Sequence, residues 1–391
     1  MDGIVAVREV AYSVLEHYSA GLAIPFTPDA GPAVLTALIE TTDHPDDHHV
    51  VERVLATWLS ECCGGTTSLG LCGGQAGLLV GVNAARGLKP RLVPLGRQLA
   101  QSLAQALAVQ QRPAEMSWDY YDVISGAAGA VLALTMDPAC PADLLYPGAR
   151  LLARACDRDD LGGLRIGSYR GEELRGWNHG RINTGMAHGV TGVVAALRAA
   201  CEFLGNPEEL TVPLKRASQW LAAQVYRDDR GVLVWPLAAM ESDLRPPGKS
   251  PLQAWCYGTP GVAWTLWDAG RVLSSDDLRV VASEAMASFC AAFDDEYFLC
   301  SSKGAAWDRL AFCHGAAGIL MVADTFTRYA NLAPARELRD RLLRRLLGML
   351  SKIPEIAGQR MMLLNGATGI LAALLTVQGG DRDWLVQYGL R

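Results

Sequence analysis

Three features of the 391-residue sequence predict an all-α fold, an α/α toroid in which outer helices surround a ring of inner helices. The first is an internal repeat, in which a Gly-x-x-Gly pair and an apolar run recur six times at intervals of roughly 50 to 70 residues. The second is the alternation of these runs with amphipathic stretches, and the third is the lack of a βαβ or alternating strand pattern. The six copies are GGQAGLLVGV at 73, SGAAGAVLAL at 125, HGVTGVVAAL at 188, YGTPGVAWTL at 257, HGAAGILMVA at 314 and NGATGILAAL at 365.

The Gly-x-x-Gly runs are predicted to be the inner helices, because they are apolar nearly all round and carry few charges. Glycine at both ends of the opening turn permits positive φ and close backbone approach, so the pair is partly a packing device. Stretches such as LVPLGRQLAQSLAQALAVQQ and ARELRDRLLRRLLGMLSKI place apolar residues every three or four positions and are predicted to be outer helices. In a closed ring the starts of the inner helices converge on one face, the mouth, where we expect the chemistry.

One segment departs from this alternation. Residues 227–250 are rich in proline and charge, and GVLVWPLA at 231 has the pattern of a short β-hairpin arm. We therefore predict a small insertion near 227–250. The repeats otherwise run through the chain, so the sequence predicts a single toroid domain over residues 1–391.

Composition excludes several classes of protein. Half of the residues are apolar and 19% are charged, which excludes a disordered chain. A net charge of -6 and a pI near 5.7 provide no basic surface for nucleic acid. We see neither a signal peptide nor an apolar stretch long enough to span a membrane, and we expect a cytoplasmic protein. Ten cysteines are too sparse for a disulfide scaffold.

The residues just before the glycine pairs are candidates for chemistry, because they lie at the mouth. Copy four reads AWCYGTPG and copy five reads AFCHGAAG, so Cys256 and Cys313 hold equivalent positions and His314 follows the second. Two thiolates and one imidazole match the three protein ligands of catalytic zinc, which leaves a fourth position for water or an incoming ligand. A lone cysteine beside glycine is usually a small buried side chain, but the paired placement favours one zinc ion per chain.

Three further residues at the mouth are candidates for proton transfer. His188 precedes the first glycine of copy three, where an imidazole could act as acid or base near neutral pH. Asp122 lies four residues before the first glycine of copy two and could orient a histidine or cap its own helix. Tyr257, beside Cys256, could donate a proton or a hydrogen bond to an oxyanion. Packing is the alternative for His188 and Tyr257, and also for Trp255, which could wall the pocket.

Two other clusters contain metal-binding side chains without the spacing of ligands. The run DHPDDHH at 43–49 is predicted to be a solvated acidic loop. The cysteines of ECCGG and LCGG, around 61–74, are predicted to be a helix end followed by the first glycine turn. We therefore predict no second metal site.

The motifs WCYG, CHG and AHG, each leading into a Gly-x-x-Gly helix, resemble those of the lanthionine synthetase C family over about residues 70–375. The resemblance implies a toroid with zinc held at its mouth by Cys256, Cys313 and His314, and proton transfer by His188 with Asp122. The implied reaction is the zinc-dependent Michael addition of a peptide cysteine to dehydroalanine or dehydrobutyrine. Its product is a lanthionine or methyllanthionine thioether ring.

The resemblance fills the chain and leaves no room for a dehydratase or kinase domain, so it implies the stand-alone, class I type of cyclase. The implied substrate is a dehydrated precursor peptide that carries a leader. Implied partners are a separate dehydratase and an exporter, with which a cytoplasmic cyclase could form a membrane-associated biosynthetic complex. One position departs from the family pattern, because many members have arginine where this chain has Leu252. Arg245 and Arg181 are the candidates to replace it.

Two other functions stay open on the sequence alone. A related toroid could add another thiol, such as glutathione, to a dehydrated acceptor with the same zinc ligands. A non-catalytic toroid could bind a peptide and recruit a modifying enzyme, but the presence of His188 and Asp122 beside the zinc ligands argues against it. An α/α-toroid glycosidase would need two carboxylates flanking the cleft, and Asp122 is the one acidic candidate at the repeat mouths.

Overall fold

The computed structural model describes residues 3–21, 29–39, 48–62, 68–169, 172–173, 178–240, 252–300 and 307–391. The α-helices of these residues are α1 (Gly3–Ser19), α2 (Gly31–Ile39), α3 (His48–Cys62), α4 (Gln75–Ala85), α5 (Val93–Val109), α6 (Trp118–Tyr121), α7 (Ala127–Thr135), α8 (Ala142–Ala155), α9 (Val190–Phe203), α10 (Glu208–Ala223), α11 (Thr259–Val272), α12 (Asp276–Ala292), α13 (Asp295–Cys300), α14 (Ala316–Tyr329), α15 (Ala333–Leu347), α16 (Ile353–Ala357) and α17 (Ala367–Val377). None of them combines the length and apolar character that crossing a membrane requires.

Seven of these helices form a closed inner ring, in the order α2, α4, α7, α9, α11, α14 and α17. Each packs against the next, and α17 returns to α2. The outer layer consists of α1, α3, α5, α8, α10, α12 and α15. On α15, for example, the buried residues follow the spacing of one helix face, and they are Ala335, Leu338, Leu342 and Leu346. The predicted α/α toroid is confirmed.

Each predicted Gly-x-x-Gly pair begins an inner helix, with the first glycine as the N-cap residue. The second glycine is required by a close backbone contact. A Cβ on Gly318 would lie 1.9 Å from the carbonyl oxygen of Phe312, and a Cβ on Gly129 would lie 2.0 Å from that of Val123. The pair therefore lets the first turn of each helix pack directly on the turn before it, which is the packing role expected from the sequence.

The ring contains a seventh inner helix, α2, that the repeat pattern does not predict. Its first turn has Ala30 and Ala33 where the other copies have glycine. Asp29 fixes this turn, because its Oδ1 accepts hydrogen bonds from the backbone N–H groups of Gly31 and Leu363, both at 2.8 Å. Leu363 lies in the turn before α17, so the side chain of Asp29 joins the two ends of the ring.

The turns before the inner helices are joined to one another around the mouth by backbone hydrogen bonds. These run from Leu71 N to Ile124 O (2.9 Å), Val123 N to Ala187 O (3.1 Å), Met186 N to Cys256 O (2.7 Å), Cys256 N to Cys313 O (3.4 Å) and Cys313 N to Leu364 O (2.9 Å). We call this series of bonds, with the Asp29 contact to Leu363, the mouth belt. It sets the spacing of the residues that precede each helix.

The C-terminal segment fills the interior of the ring. A 3-10 helix at Asp383–Tyr388 packs against α4 and α7. Trp255 donates its indole N–H to the carbonyl of Tyr388, and Trp264 donates to that of Gly389, both at 3.0 Å. Trp255 is 0% exposed, so it supports this interior packing rather than lining the mouth, and the packing alternative holds for it.

Short strands lie in the connections between helices. All pairs are antiparallel, and they are β1 (Ser168–Tyr169) with β2 (Glu172–Glu173), β3 (Ile182–Asn183) with β6 (Ala238–Ala239) and β4 (Tyr226–Arg227) with β5 (Leu233–Val234). The predicted hairpin arm is therefore present as β4 and β5, and β6 carries it back to β3. The rest of the predicted insertion, 241–250, lies outside the described residues.

Candidate metal centre and proton-transfer site

Cys256, Cys313 and His314 lie together at the mouth. Their ligand atoms, two Sγ and one imidazole nitrogen, all lie within 4.8 Å of one another. The two thiols are buried, whereas the His314 side chain is 37% exposed, so the cluster opens toward the mouth. The mouth belt brings the cysteines together, because Cys256 N donates to Cys313 O in the next repeat. The structure thus gathers the three residues that the sequence predicts as ligands.

Asp308 orients the histidine of this cluster. Its Oδ1 lies 3.2 Å from Nδ1 of His314, while Nε2 of the same ring lies 3.7 Å from Sγ of Cys313. A carboxylate on one ring nitrogen fixes the tautomer and directs the other nitrogen to a metal. Asp308 is not recognisable from the sequence, because six residues separate it from His314 and only the turn between them brings the two side chains together.

The electrostatics of the cluster favour a thiolate. Burial raises the pKa of Cys256. Hydrogen bonds from Cys313 and His314, with the charges of His314 and His188, outweigh this effect and lower the pKa to about 6. The bond that Cys313 donates to Cys256, together with burial, raises the pKa of Cys313 well above its usual value. Hydrogen bonds to Asp308 and Cys256 raise the pKa of His314 to about 10. The site can therefore hold a negative sulfur at neutral pH, which metal ligation requires.

The donor set fits a divalent metal ion that prefers sulfur and nitrogen ligands, as zinc does. Three protein donors leave one position of a tetrahedral site for an exogenous ligand. Within the described residues, no other group of three or more His, Cys, Asp or Glu side chains has this spacing. The absence of a second metal site stays a prediction, because residues 43–47 and 63–67 lie outside the described residues.

His188 and Asp122 form a pair close to the cluster. His188 Nδ1 lies 2.5 Å from Asp122 Oδ2, and the other carboxylate oxygen accepts hydrogen bonds from the backbone N–H groups of Ser125 (2.7 Å) and Gly126 (2.9 Å). Asp122 therefore bonds the turn that leads into α7 and also the ring of His188, while the N-cap of α7, Gly126, has no side-chain cap. The charge of His188 contributes to lowering the pKa of Cys256, which places the pair within electrostatic reach of the cluster.

The surroundings of this pair suit a group that exchanges protons at the mouth. Burial raises the pKa of Asp122, while the bonds from His188, Ser125 and Gly126 oppose that rise. Asp122 is 0% exposed and the His188 side chain is 23% exposed. Trp118 stacks on His188 with ring centroids 5.0 Å apart and an interplanar angle of 19°. Trp118 is not recognisable from the sequence, since it belongs to no motif.

Tyr257 lies in the same turn as Cys256, and its hydroxyl accepts a hydrogen bond from Asn183 Nδ2 at 2.8 Å. Burial raises the pKa of Tyr257, the bond from Asn183 lowers it, and the charges of Cys256 and Cys313 raise it again, so that the net shift is upward. The hydroxyl is therefore neutral at physiological pH and keeps a proton to donate. Asn183 was not among the residues predicted from the sequence.

Comparison with known protein families identifies the family of this chain. The profile of the family described as lanthionine synthetase C-like protein matches residues 30–387, nearly the whole chain. The chain belongs to the lanthionine synthetase C-like family. This membership confirms the resemblance found in the WCYG, CHG and AHG motifs.

A solved structure named nisin cyclase has the same fold as this lanthionine synthetase C-like chain. The two superpose with a TM-score of 0.79 at 17% sequence identity, over 97% of this chain and 97% of the other. At that identity the likeness establishes the toroid fold. The comparison with curated proteins gives no match for the sequence.

Leu252 lies where the motif resemblance leads us to expect an arginine. Leu252 is half-buried, and its carbonyl oxygen packs on the N-cap of α11, where a Cβ on Gly258 would lie 2.3 Å away. Arg245 lies outside the described residues. Arg181 immediately precedes β3, and its replacement of the family arginine stays a prediction.

Cys72 holds the position in the first repeat that Cys256 and Cys313 hold in theirs, two residues before the first glycine. Its charge helps to raise the pKa of Cys313, so it is near that thiol. It does not belong to the three-residue ligand group. Of the acidic run predicted to be a solvated loop, residues 43–47 lie outside the described residues, and the rest begins α3.

Proposed function

We propose that the chain is a stand-alone, zinc-dependent lanthipeptide cyclase that closes thioether rings in a dehydrated precursor peptide. The observation that carries this proposal is the gathering of Cys256, Cys313 and His314 within 4.8 Å, in a lanthionine synthetase C-like toroid. The paired His188 and Asp122 beside that cluster support a catalytic role over passive peptide binding.

Cys256, Cys313 and His314 would hold the zinc ion, and Asp308 would orient His314. When bound, zinc would lower the pKa of an incoming cysteine thiol so that the thiolate forms at neutral pH. The buried thiols and the exposed edge of His314 leave the mouth as the direction from which the peptide approaches.

The reaction forms one carbon–sulfur bond and adds one proton. The substrate thiolate attacks the β-carbon of dehydroalanine or dehydrobutyrine, the carbon–carbon π bond breaks, and its electrons move through the α-carbon to the carbonyl oxygen. The α-carbon then takes a proton and the carbonyl re-forms. A positioned acid and a hydrogen-bond donor to the oxygen both lower the barrier of such a step.

His188 is the residue best placed to move that proton. Its Nδ1 is held by the buried carboxylate of Asp122 at 2.5 Å, so Nε2 is the nitrogen that can serve the substrate. Asp122 also fixes the orientation of the ring, as a carboxylate does in other histidine pairs. Tyr257, neutral and adjacent to Cys256, would donate a hydrogen bond to the developing oxyanion.

The substrate class follows from this chemistry. The enzyme needs a peptide that contains both cysteine and dehydrated serine or threonine, so a separate dehydratase must act first. We propose a leader-bearing precursor as the substrate, with the dehydratase and an exporter as further partners. The same ligand set would also serve the addition of a free thiol, which the experiment below separates from ring closure.

The test combines metal content with thiol consumption. The purified protein should contain about one zinc per chain by mass spectrometry, and Cys313→Ala should lose it. Cys290→Ala, which removes a half-buried thiol from α12, is the matched control and should keep the metal. A dehydrated cysteine peptide should lose its alkylatable thiols without change of mass on incubation with wild type.

The controls separate the alternatives. A mass increase equal to glutathione, when glutathione is supplied, would indicate intermolecular addition in place of cyclisation. Peptide binding without thiol loss, by a zinc-loaded protein, would indicate a binding module. Wild-type protein that neither contains zinc nor accepts it on reloading would refute the proposal.

A further inference from the structure

Asn183 makes two side-chain hydrogen bonds that determine the orientation of its amide. Its Oδ1 accepts from the backbone N–H of Gly185 at 2.7 Å, and its Nδ2 lies 2.8 Å from the hydroxyl of Tyr257. A backbone N–H group only donates, so the atom facing Gly185 must be the amide oxygen. The atom facing Tyr257 is therefore the amide nitrogen, which donates.

The direction of that bond determines what the Tyr257 hydroxyl can do. An amide NH₂ group has no acceptor, so the tyrosine oxygen accepts and its own proton points away from Asn183. A tyrosine of ordinary acidity keeps its proton at neutral pH, so the hydroxyl of Tyr257 offers a hydrogen-bond donor beside the cysteines and histidine of the cluster.

The geometry of this contact is tightly constrained. Asn183 is 0% exposed and belongs to β3, where it pairs with Ala238 of β6. The tyrosine ring packs on Gly185, where a Cβ would lie 2.6 Å from the ring. A side chain at Gly189, the N-cap of α9, would lie 2.3 Å from the carbonyl oxygen of Asn183. Strand β6 therefore fixes the position of Asn183 by strand pairing, and Asn183 fixes the hydroxyl of Tyr257 by its hydrogen bond.

We infer that Asn183 is a positioning residue that keeps Tyr257 as the hydrogen-bond donor to the oxyanion formed during ring closure. This inference rests on the proposed function. As the sulfur bonds to the β-carbon, negative charge develops on the carbonyl oxygen of the dehydrated residue. The Tyr257 O–H group donates to that oxygen without transferring its proton, and the proton for the α-carbon comes from His188. Asn183 itself does not touch the substrate.

Asn183→Asp tests the direction of the bond. The carboxylate can still accept from Gly185, but its second oxygen accepts where the amide donated, so the Tyr257 proton turns toward position 183. We expect turnover to fall about 100-fold, as for Tyr257→Phe and as for the loss of one oxyanion donor. The zinc content should not change. Asn178→Asp, at another buried asparagine in the segment before β3, is the matched control and should keep its turnover.

A second variant avoids a buried charge. Asn183→Ala removes the donor and leaves the tyrosine unrestrained, and it should also lower turnover. Because Asn183 acts only through Tyr257, adding Asn183→Ala to Tyr257→Phe should cause a further loss of less than about 2-fold. A double variant whose loss is the product of the two single losses would show an independent structural role and overturn the inference. Full turnover in both Asn183 variants would overturn it as well.

A spectroscopic measurement keeps this test separate from the proposed function. Tyrosine labelled with ¹³C at Cζ gives a signal for Tyr257 that is identified by its loss in Tyr257→Phe. We expect Asn183→Asp to shift that signal as the hydroxyl changes from acceptor to donor, and Asn178→Asp to leave it in place. An inactive wild type with this shift would refute the cyclase function but retain the contact. An active wild type without the shift would refute the role of Asn183.

Discussion

Asp29 closes the mouth belt at the expense of a partly buried charge, and the substitution Asp29→Asn measures that cost. Its Oδ1 accepts two backbone hydrogen bonds at 2.8 Å, one from Gly31 and one from Leu363. Its carbonyl oxygen accepts a third bond from the indole of Trp58 at 2.8 Å. Burial raises the pKa of Asp29 from an ordinary value of 3.8 to about 6, although the two bonds to the carboxylate oppose the rise.

The magnitude follows from the difference between the two pKa values. A rise from 3.8 to about 6 corresponds to about 3 kcal/mol of unfavourable free energy for the ionised form. The folded-state pKa is the higher one, so the folded chain binds the proton more tightly. The stabilisation is therefore present below about pH 4 and is lost as the pH rises through about 6. Asparagine keeps the accepting oxygen and carries no charge.

The assay is urea unfolding of wild type and Asp29→Asn at about pH 4 and about pH 8. Relative to wild type, the free energy of unfolding of the variant should increase by roughly 2 to 3 kcal/mol between these conditions. Any cost of burying the new NH₂ group is the same at both pH values and cancels. Asp157→Asn, at an exposed aspartate, is the control and should show no such change. A difference for Asp29→Asn that is independent of pH would refute the reasoning.

Three further predictions concern the cluster, the histidine pair and the glycine turns. Asp308→Asn should weaken zinc binding about 10-fold or more in a competition assay with a chelator, since a neutral amide orients His314 less well; unchanged affinity would contradict this. Asp122→Asn should lower turnover about 100-fold or more while zinc content stays constant, because the tautomer of its histidine partner is no longer fixed; normal turnover would remove Asp122 from the mechanism. Gly318→Ala should lower the free energy of unfolding by about 3 kcal/mol, whereas Gly348→Ala, whose Cβ would lie 3.4 Å from its nearest neighbour, should have little effect in the same denaturation assay.

The inner helices could be predicted from sequence wherever nearby glycines allow the first helical turn to pack closely on the preceding turn. Six of them begin with two glycines that allow the first helical turn to meet the preceding carbonyl group, and the spacing of those glycines is visible in the sequence. The seventh, α2, has Ala30 and Ala33 instead, and its first turn depends on Asp29 reaching Leu363. That contact spans 334 residues of sequence, so no local pattern reveals it.

The candidate site divides in the same way. Cys256, Cys313 and His314 are recognisable because equivalent positions in successive repeats must lie side by side in a closed ring. Asp308 and Asn183 are not recognisable, because their positions depend on contacts that no spacing in the sequence reveals. The Asp308 contact depends on a turn of six residues, and Asn183 depends on the pairing of β3 with a strand 55 residues later. Equivalent positions in the repeats predict the candidate metal ligands, whereas the residues that orient His314 and Tyr257 are identified only by their tertiary contacts.

The contacts that would carry catalysis pass from one repeat to the next around part of the mouth. Asp122 of the second repeat holds His188 of the third, Asn183 of the third holds Tyr257 of the fourth, and Cys256 of the fourth meets a thiol of the fifth. Backbone bonds of the mouth belt join the same pairs of neighbouring turns. The distance between the thiol centre and the proton-transfer pair is therefore fixed by main-chain bonds that side-chain substitutions leave intact. For this reason variants at these positions should change rate or metal affinity far more than they change the stability of the toroid.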